Sequence, residues 1–129
     1  MKKYKCNVCG NVVQVLFTGA GELVCCGQAM EHLIPQQDSD SELGEKHTPI
    51  IESDINGRYI RVKHHPMEEN HYIQLIEAFA KDKSSLHIKY LRPKDVAEFN
   101  ITAFEQEIDA QELCNIHGLW SDKQGEKND

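Results

Sequence analysis

Four cysteines crowd into the first 26 residues, as CNVCGN at 6 to 11 and VCCG at 24 to 27. Beyond them runs PQQDSDSELG, residues 35 to 44, polar enough to read as a linker or exposed loop. A segment of about 36 residues buries too little surface to fold unaided and needs a metal or another staple. Cys6, Cys9, Cys25 and Cys26 supply one: four thiolates in a short segment suit a tetrahedral zinc or iron site. Gly10 and Gly27 each follow a cysteine, where a tight turn aims backbone N–H groups at sulfur. Side chains of neighbours such as Cys25 and Cys26 tend to diverge, so joint ligation predicts a distorted site. Two disulfides are the minor alternative. Thioredoxin-like chemistry at Cys6-x2-Cys9 lacks a surrounding βαβ pattern.

Composition limits the partners. The 129 residues carry a net charge of −7 with a pI near 5.4, and residues 1–36 hold +1 of it, leaving −8 on the remainder. Neither part has the basic stripe that nucleic acid requires. An acidic body repels small anions, so an anionic substrate needs a local positive device. No apolar run approaches the roughly 18 residues of a membrane span, and no signal-type stretch follows the basic start, so the expected location is cytoplasmic. Reduced thiols in that compartment favour metal over disulfide.

The pattern predicts a mainly β chain of two domains, 1–36 and 37–129. In RYIRV, Ile60 and Val62 share one face, with Tyr59 and Arg61 on the other. HYIQLIEAF is apolar on both faces, with Ile73, Leu75 and Phe79 against Tyr72 and Ile76. LHIKYL aligns Leu86, Ile88 and Tyr90, and FNITAF aligns Phe99, Ile101 and Ala103. Asn56-Gly57 and Arg92-Pro93-Lys94-Asp95 are turn signals. Short strands with turns every 8 to 12 residues or so suggest an antiparallel β-sandwich. The tail SDKQGEKND is expected to fray.

A second constellation is spread along this region: His47 in EKHTP, His64, His65 and His71 in HHPMEENH, and Cys114 with His117 in CNIHG. Six residues of extended strand would hold His65 and His71 about 20 Å apart, and six of helix about 9 Å. Two ligands of one metal require a bend between them, which Pro66 favours. Cys114 and His117, three apart, converge on one turn. A thiolate among imidazoles suits iron, copper or zinc. His32 and His87 read as ordinary surface or hydrogen-bonded histidines.

YKCNVCGNVVQVL, GAGELVCCGQAM, EKHTPII, HPMEENHYIQLIE and CNIHGLW occur in the order and approximate spacing of the desulfoferrodoxins, and the chain resembles that two-iron class of superoxide reductase over nearly its whole length. The resemblance implies a desulforedoxin-like domain whose Cys6, Cys9, Cys25 and Cys26 hold an Fe(SCys)4 centre. It implies a seven-stranded immunoglobulin-like sandwich in which His47, His65, His71 and His117 give four equatorial imidazoles to a second iron, with Cys114 as axial thiolate. His65, directly before Pro66, matches the family ligand; His64 departs from the pattern and reads as a bystander. Lys46 matches the family's anion-guiding lysine, and Glu45 the carboxylate that closes onto ferric iron.

The activity so implied is one-electron reduction of superoxide to hydrogen peroxide, with electrons from a rubredoxin-type donor and a homodimeric assembly. A competing reading is a non-catalytic metal protein, with zinc at the cysteines and a structural metal in the sandwich. A cysteine hydrolase built on Cys114 and His117 would need an oriented base and an oxyanion device, and neither has a motif here.

Overall fold

The computed structural model describes residues 2–37 and 41–122. It divides into two compact units, Met1–Ile34 and Pro35–Asp129. Most of the tail expected to fray, from Lys123 onward, lies outside the described residues.

In the first unit β1 (Lys2–Lys5) lies between β2 (Val12–Val15) and β5 (Glu31–Leu33), and β3 (Val24–Cys25) pairs with β4 (Gln28–Ala29). All these pairings are antiparallel. Cys6 and Leu33 are buried, while Val8, Leu16, Phe17 and Val24 are exposed. So small a core leaves this unit dependent on what its cysteines bind.

The second unit opens with a helix where the sequence suggested a linker. Ser41 caps α1 (Glu42–His47), its hydroxyl accepting from the Gly44 N–H at 2.9 Å. Glu42 and Glu45 in the first turn, and Lys46 and His47 in the last, suit the helix dipole. The strands are β6 (Ile50–Asp54), β7 (Gly57–Arg61), β8 (Ile73–Ala80), β9 (Leu86–Tyr90), β10 (Glu98–Asn100), β11 (Ile108–Cys114) and β12 (Gly118–Ser121). They form a three-stranded sheet, β10-β7-β6, and a four-stranded one, β12-β11-β8-β9. Every pairing is antiparallel. This is the expected sandwich. Its fourth strand, β9, joins the sheet of β8, β11 and β12; in constant-type immunoglobulin domains that strand joins the other sheet.

The core draws from both sheets. Ile60 from the smaller one, with Val62 just past the end of β7, meets Ile73, Ile76, Ala78, Ile108 and Ala110 from the larger. On the outer face of β7, Arg61 lies 4.1 Å from the Tyr59 ring centre and pairs with Glu52, Asp54 and Glu98. The strand expected through FNITAF stops at Asn100, whose side chain accepts the Thr102 N–H at 2.9 Å and turns the chain. Tyr90, expected to share a face with Leu86 and Ile88, is exposed at the end of the edge strand β9. The β6–β7 hairpin closes with Asp54 opposite Gly57. A Cβ at Gly57 would run into the Thr102 hydroxyl.

β11 runs opposite β8 with a register shift between Leu113 and Cys114. Such a bulge re-aims the residues at a strand end. It brings Cys114 beside Ile73, where β8 begins and the β7–β8 connection arrives with His65 and His71.

One buried group runs against the fold. Glu112 is 0% exposed and neither carboxylate oxygen has a hydrogen-bond partner among the described residues, so burial holds its pKa well above the usual 4.5. The unfolded carboxyl ionises above that pH while the folded one stays protonated, so the protein loses stability as the pH rises past 4.5. In the metal-free protein, Glu112→Gln is expected to raise stability at pH 7, with the advantage shrinking to nothing as the pH falls below about 4.5. Urea unfolding across that range measures it; a constant difference would show the carboxyl ionised in the fold.

Candidate metal centres

The four N-terminal sulfurs meet. Their Sγ atoms all lie within 4.8 Å of one another, and Cys6, Cys9, Cys25 and Cys26 form no disulfide. Cys9 and Cys25 stand 3.7 Å apart and Cys25 and Cys26 3.9 Å. Tetrahedral ligands 2.3 Å from a metal are about 3.8 Å from each other, whereas a disulfide needs about 2.05 Å. Cys25 and Cys26 converge although adjacent because Cys26 adopts φ 54° and Gly27 φ 75°. The left-handed turn swings the second thiol back beside the first, a conformation uncommon outside glycine and concentrated at functional sites.

The turn after β1 brings the Cys9 N–H within 3.5 Å of Cys6 Sγ. Backbone N–H groups of Cys9 and Val8 hold the Cys6 thiol down to about 6, while the neighbouring thiols push Cys26 up to about 12 and raise Cys25. Four crowded sulfurs cannot all ionise unaided, so a cation must replace their protons.

The second centre assembles residues from four places in the chain. His47 ends α1, His65 and His71 lie on the β7–β8 connection, Cys114 ends β11, and His117 sits in the turn before β12. The imidazoles form a square. Neighbouring ring centres are 4.5 Å (His47–His65), 4.6 Å (His65–His71), 5.1 Å (His71–His117) and 4.9 Å (His117–His47), each pair steeply tilted. The His47–His71 diagonal is 6.4 Å. Cys114 Sγ lies 3.2 Å from His65 Nε2 and 4.0 Å from His117 Nδ1.

The protons show what the square is for. His47 Nδ1 is 2.7 Å from the Leu43 carbonyl and His65 Nδ1 is 2.6 Å from the Pro66 carbonyl. A carbonyl only accepts, so in the neutral rings both protons sit on Nδ1 and both Nε2 atoms are bare lone pairs. Those two Nε2 atoms are 3.1 Å apart. They cannot hydrogen-bond each other, and 3.1 Å is close to the separation of about 3.0 Å between adjacent ligands at right angles, each about 2.1 Å from a metal. His71 Nε2 is buried and has no hydrogen-bond partner among the described residues. A cation satisfies all three at once, and donation of the other ring N–H to a carbonyl is the usual support of a metal-ligating histidine. The thiolate receives support too, with the N–H groups of Ile116 and His117 3.5 and 3.4 Å from Cys114 Sγ.

The predicted bend between His65 and His71 is present, with Glu68 and His71 exchanging both main-chain hydrogen bonds at 2.9 and 3.1 Å. Sequence reasoning missed Asn115, whose side chain accepts from Tyr72 N–H and donates to the Asn70 carbonyl, stitching the thiolate turn to the histidine loop. It also missed Trp120, stacked on His47 at 4.8 Å. The Asn of CNIHG and the Trp of HGLW were the available signals.

A cavity of about 480 Å³ opens onto the square. The four histidines line it together with Lys46, Lys63 and His64; Cys114, 1% exposed, does not. Among the described residues no carboxylate lines it; Lys63 pairs with Glu52 at 2.9 Å, while Lys46 stands 3.9 Å from Glu42. Glu45 stands beside Lys46 on α1, exposed and outside the lining.

A β-protein with a tetrathiolate site and an imidazole square over a buried thiolate is a metalloprotein with two mononuclear centres. Residues 1–33 match the desulfoferrodoxin N-terminal domain and residues 39–123 the desulfoferrodoxin domain. A desulfoferrodoxin homolog of Archaeoglobus fulgidus is 44% identical over 122 residues, 93% of this chain and 94% of that one. The desulfoferrodoxin of Nitratidesulfovibrio vulgaris is 44% identical over 119 residues, 91% of each. Among solved structures, the superoxide reductase from Treponema pallidum superposes with a TM-score of 0.69 at 21% identity, over 95% of this chain and 97% of that one. The chain belongs to the desulfoferrodoxin family, and its two clusters correspond to the family's two iron sites.

Burial lowers the pKa of His47 and His71, and that of His65 to about 4 from the usual 6.5. In the metal-free protein these rings stay neutral in the fold but protonate when unfolded below pH 6.5. Stability is therefore expected to fall as the pH drops from about 6.5 towards 4. Unfolding of apoprotein carrying Glu112→Gln, which removes the opposing carboxyl contribution, measures it; stability flat across that window would contradict the burial of the square.

Proposed function

We propose that this chain is a superoxide reductase in which His47, His65, His71, His117 and Cys114 would hold the reactive iron. The observation that carries this reading is the cavity, which reaches four imidazoles from the side away from the buried Cys114 and bears Lys46 and Lys63 at its mouth. Ferrous iron held there would supply one electron and a binding place for a small anion. The protein's own groups do the rest.

Lys46 attracts the anion. Its side chain is 51% exposed and pairs with the exposed Glu42 at 3.9 Å, a pairing too weak to cancel its charge. Main-chain N–H groups hold the thiolate in place through the electron transfer. Superoxide gains one electron and two protons and leaves as hydrogen peroxide; water at the open cavity supplies the protons. Glu45, on the same helix as Lys46, is the carboxylate we assign to closing the site after turnover.

Each turnover consumes one electron from outside, which supports a rubredoxin-type donor. Residues 1–36 we assign to the Fe(SCys)4 domain and 37–129 to the catalytic one. Exposed Leu16, Phe17 and Val24 on the small unit support a homodimer. The unbridged thiols of Cys6, Cys9, Cys25 and Cys26 support a cytoplasmic setting, and no helix among the described residues is long and apolar enough to cross a membrane.

Two irons per chain and rapid consumption of superoxide without release of dioxygen are the expected results on anaerobically purified protein; zinc at both centres would overturn the reading. Cys114→Ser is expected to abolish the activity while the tetrathiolate centre keeps its colour. Lys46→Ala should lower the second-order rate about 10-fold and flatten its salt dependence, because local attraction goes and every ligand stays. Stopped-flow kinetics at several ionic strengths checks this, and an unchanged salt slope would remove Lys46 from the steering role.

A further inference from the structure

Two side-chain donors converge on the main-chain oxygen of His117. Gln36 Nε2 donates to it at 2.7 Å and Trp120 Nε1 at 3.1 Å. Gln36 is fixed there by its own backbone: its N–H donates to the Leu119 carbonyl at 2.9 Å, and the Ser121 N–H donates to its carbonyl at 2.9 Å. Trp120 is 2% exposed and lays its indole on His47, ring centres 4.8 Å apart and planes 20° apart. One residue thus touches two neighbouring corners of the square, and a second donates to the same carbonyl at one of those corners.

His117 is the ligand most sensitive to such support. It faces the thiolate with Nδ1, the ring nitrogen nearer the backbone. A ligand atom on so short an arm follows its main chain closely, whereas the Nε2 ligands have ring length to absorb a shift. Holding the carbonyl of His117 therefore holds its ligand atom. His47 has its ring edge fixed by Leu43 and its ring face by the indole.

We propose that Gln36 and Trp120 form a clamp that positions His117 and His47 as metal ligands. Neither residue touches the reacting atoms, so both are positioning residues. The clamp rests on the metal site assigned above. It gives a part in that site to a residue whose neighbours in sequence are polar linker.

The test uses the iron-loaded full chain with Gln36→Ala, Trp120→Phe and the double substitution. Gln36→Ala removes the side-chain donor and keeps both backbone hydrogen bonds; Trp120→Phe keeps an aromatic face for His47 and drops the N–H. The readouts are the rate of ferrous iron loss to a chelator from the His4Cys site and that site's midpoint potential. The tetrathiolate iron, followed by its own visible absorption, serves as internal reference. Each single variant is expected to lose the His4Cys iron about 10-fold faster and to shift its potential, with the tetrathiolate centre unchanged. Should Trp120→Phe fail to fold, Gln36→Ala decides alone. Parent-like release and potential, even with a lower melting temperature, would reduce both residues to braces of β12 and overturn the clamp. A parent protein with no iron at the His4Cys site would overturn the metal assignment itself, and the clamp with it.

Discussion

Two short hydrogen bonds, from His47 Nδ1 to the Leu43 carbonyl and from His65 Nδ1 to the Pro66 carbonyl, govern the catalytic end of this protein. They leave two lone pairs facing each other at 3.1 Å inside a buried pocket. Folding alone gains nothing from that arrangement; a cation gains everything. The helix α1 exists where it does to present one of these rings, and its i−4 carbonyl is the acceptor that sets the ring's tautomer. The β7–β8 crossing presents the other. The rest of the sandwich acts as a frame that brings the two carbonyls, the thiolate turn and the cavity to one end.

Much of this was legible in the sequence for a physical reason. Metal ligation restricts residue type more severely than packing does, which leaves five cysteines and seven histidines to consider; the desulfoferrodoxin pattern then picks Cys6, Cys9, Cys25, Cys26, His47, His65, His71, Cys114 and His117 from them. Their grouping in space follows. The core strands were equally plain, because Ile60 with Val62, and the doubly buried β8, show their periods directly.

What escaped was whatever depends on partners far away in sequence. Gln36 looks like linker until Leu119 and Ser121 are beside it. Ser41 and Glu42 carry a capping signal that six residues of helix were too short to reveal. The side of the sandwich that β9 joins depends on pairing, and alternation is blind to it. Glu112 follows the inward phase of β11, yet nothing local shows that a carboxyl at that position goes without a partner. The Asn of CNIHG signals a turn residue, but not that its partners are Asn70 and Tyr72.

The left-handed turn at Cys26 has a consequence for the life of the chain. By folding two adjacent thiols into one half of a site, it lets a single ion tie the tip of the β3–β4 hairpin to the Cys6–Cys9 turn across fifteen intervening residues. Topologically this is a cross-link, and closing a loop of that size with a covalent bridge removes about 3 kcal/mol of freedom from the unfolded state. A disulfide would make the link permanent. An ion makes it conditional, so a chain starved of metal presents an open, unanchored N-terminal segment, the form in which proteases most readily take hold.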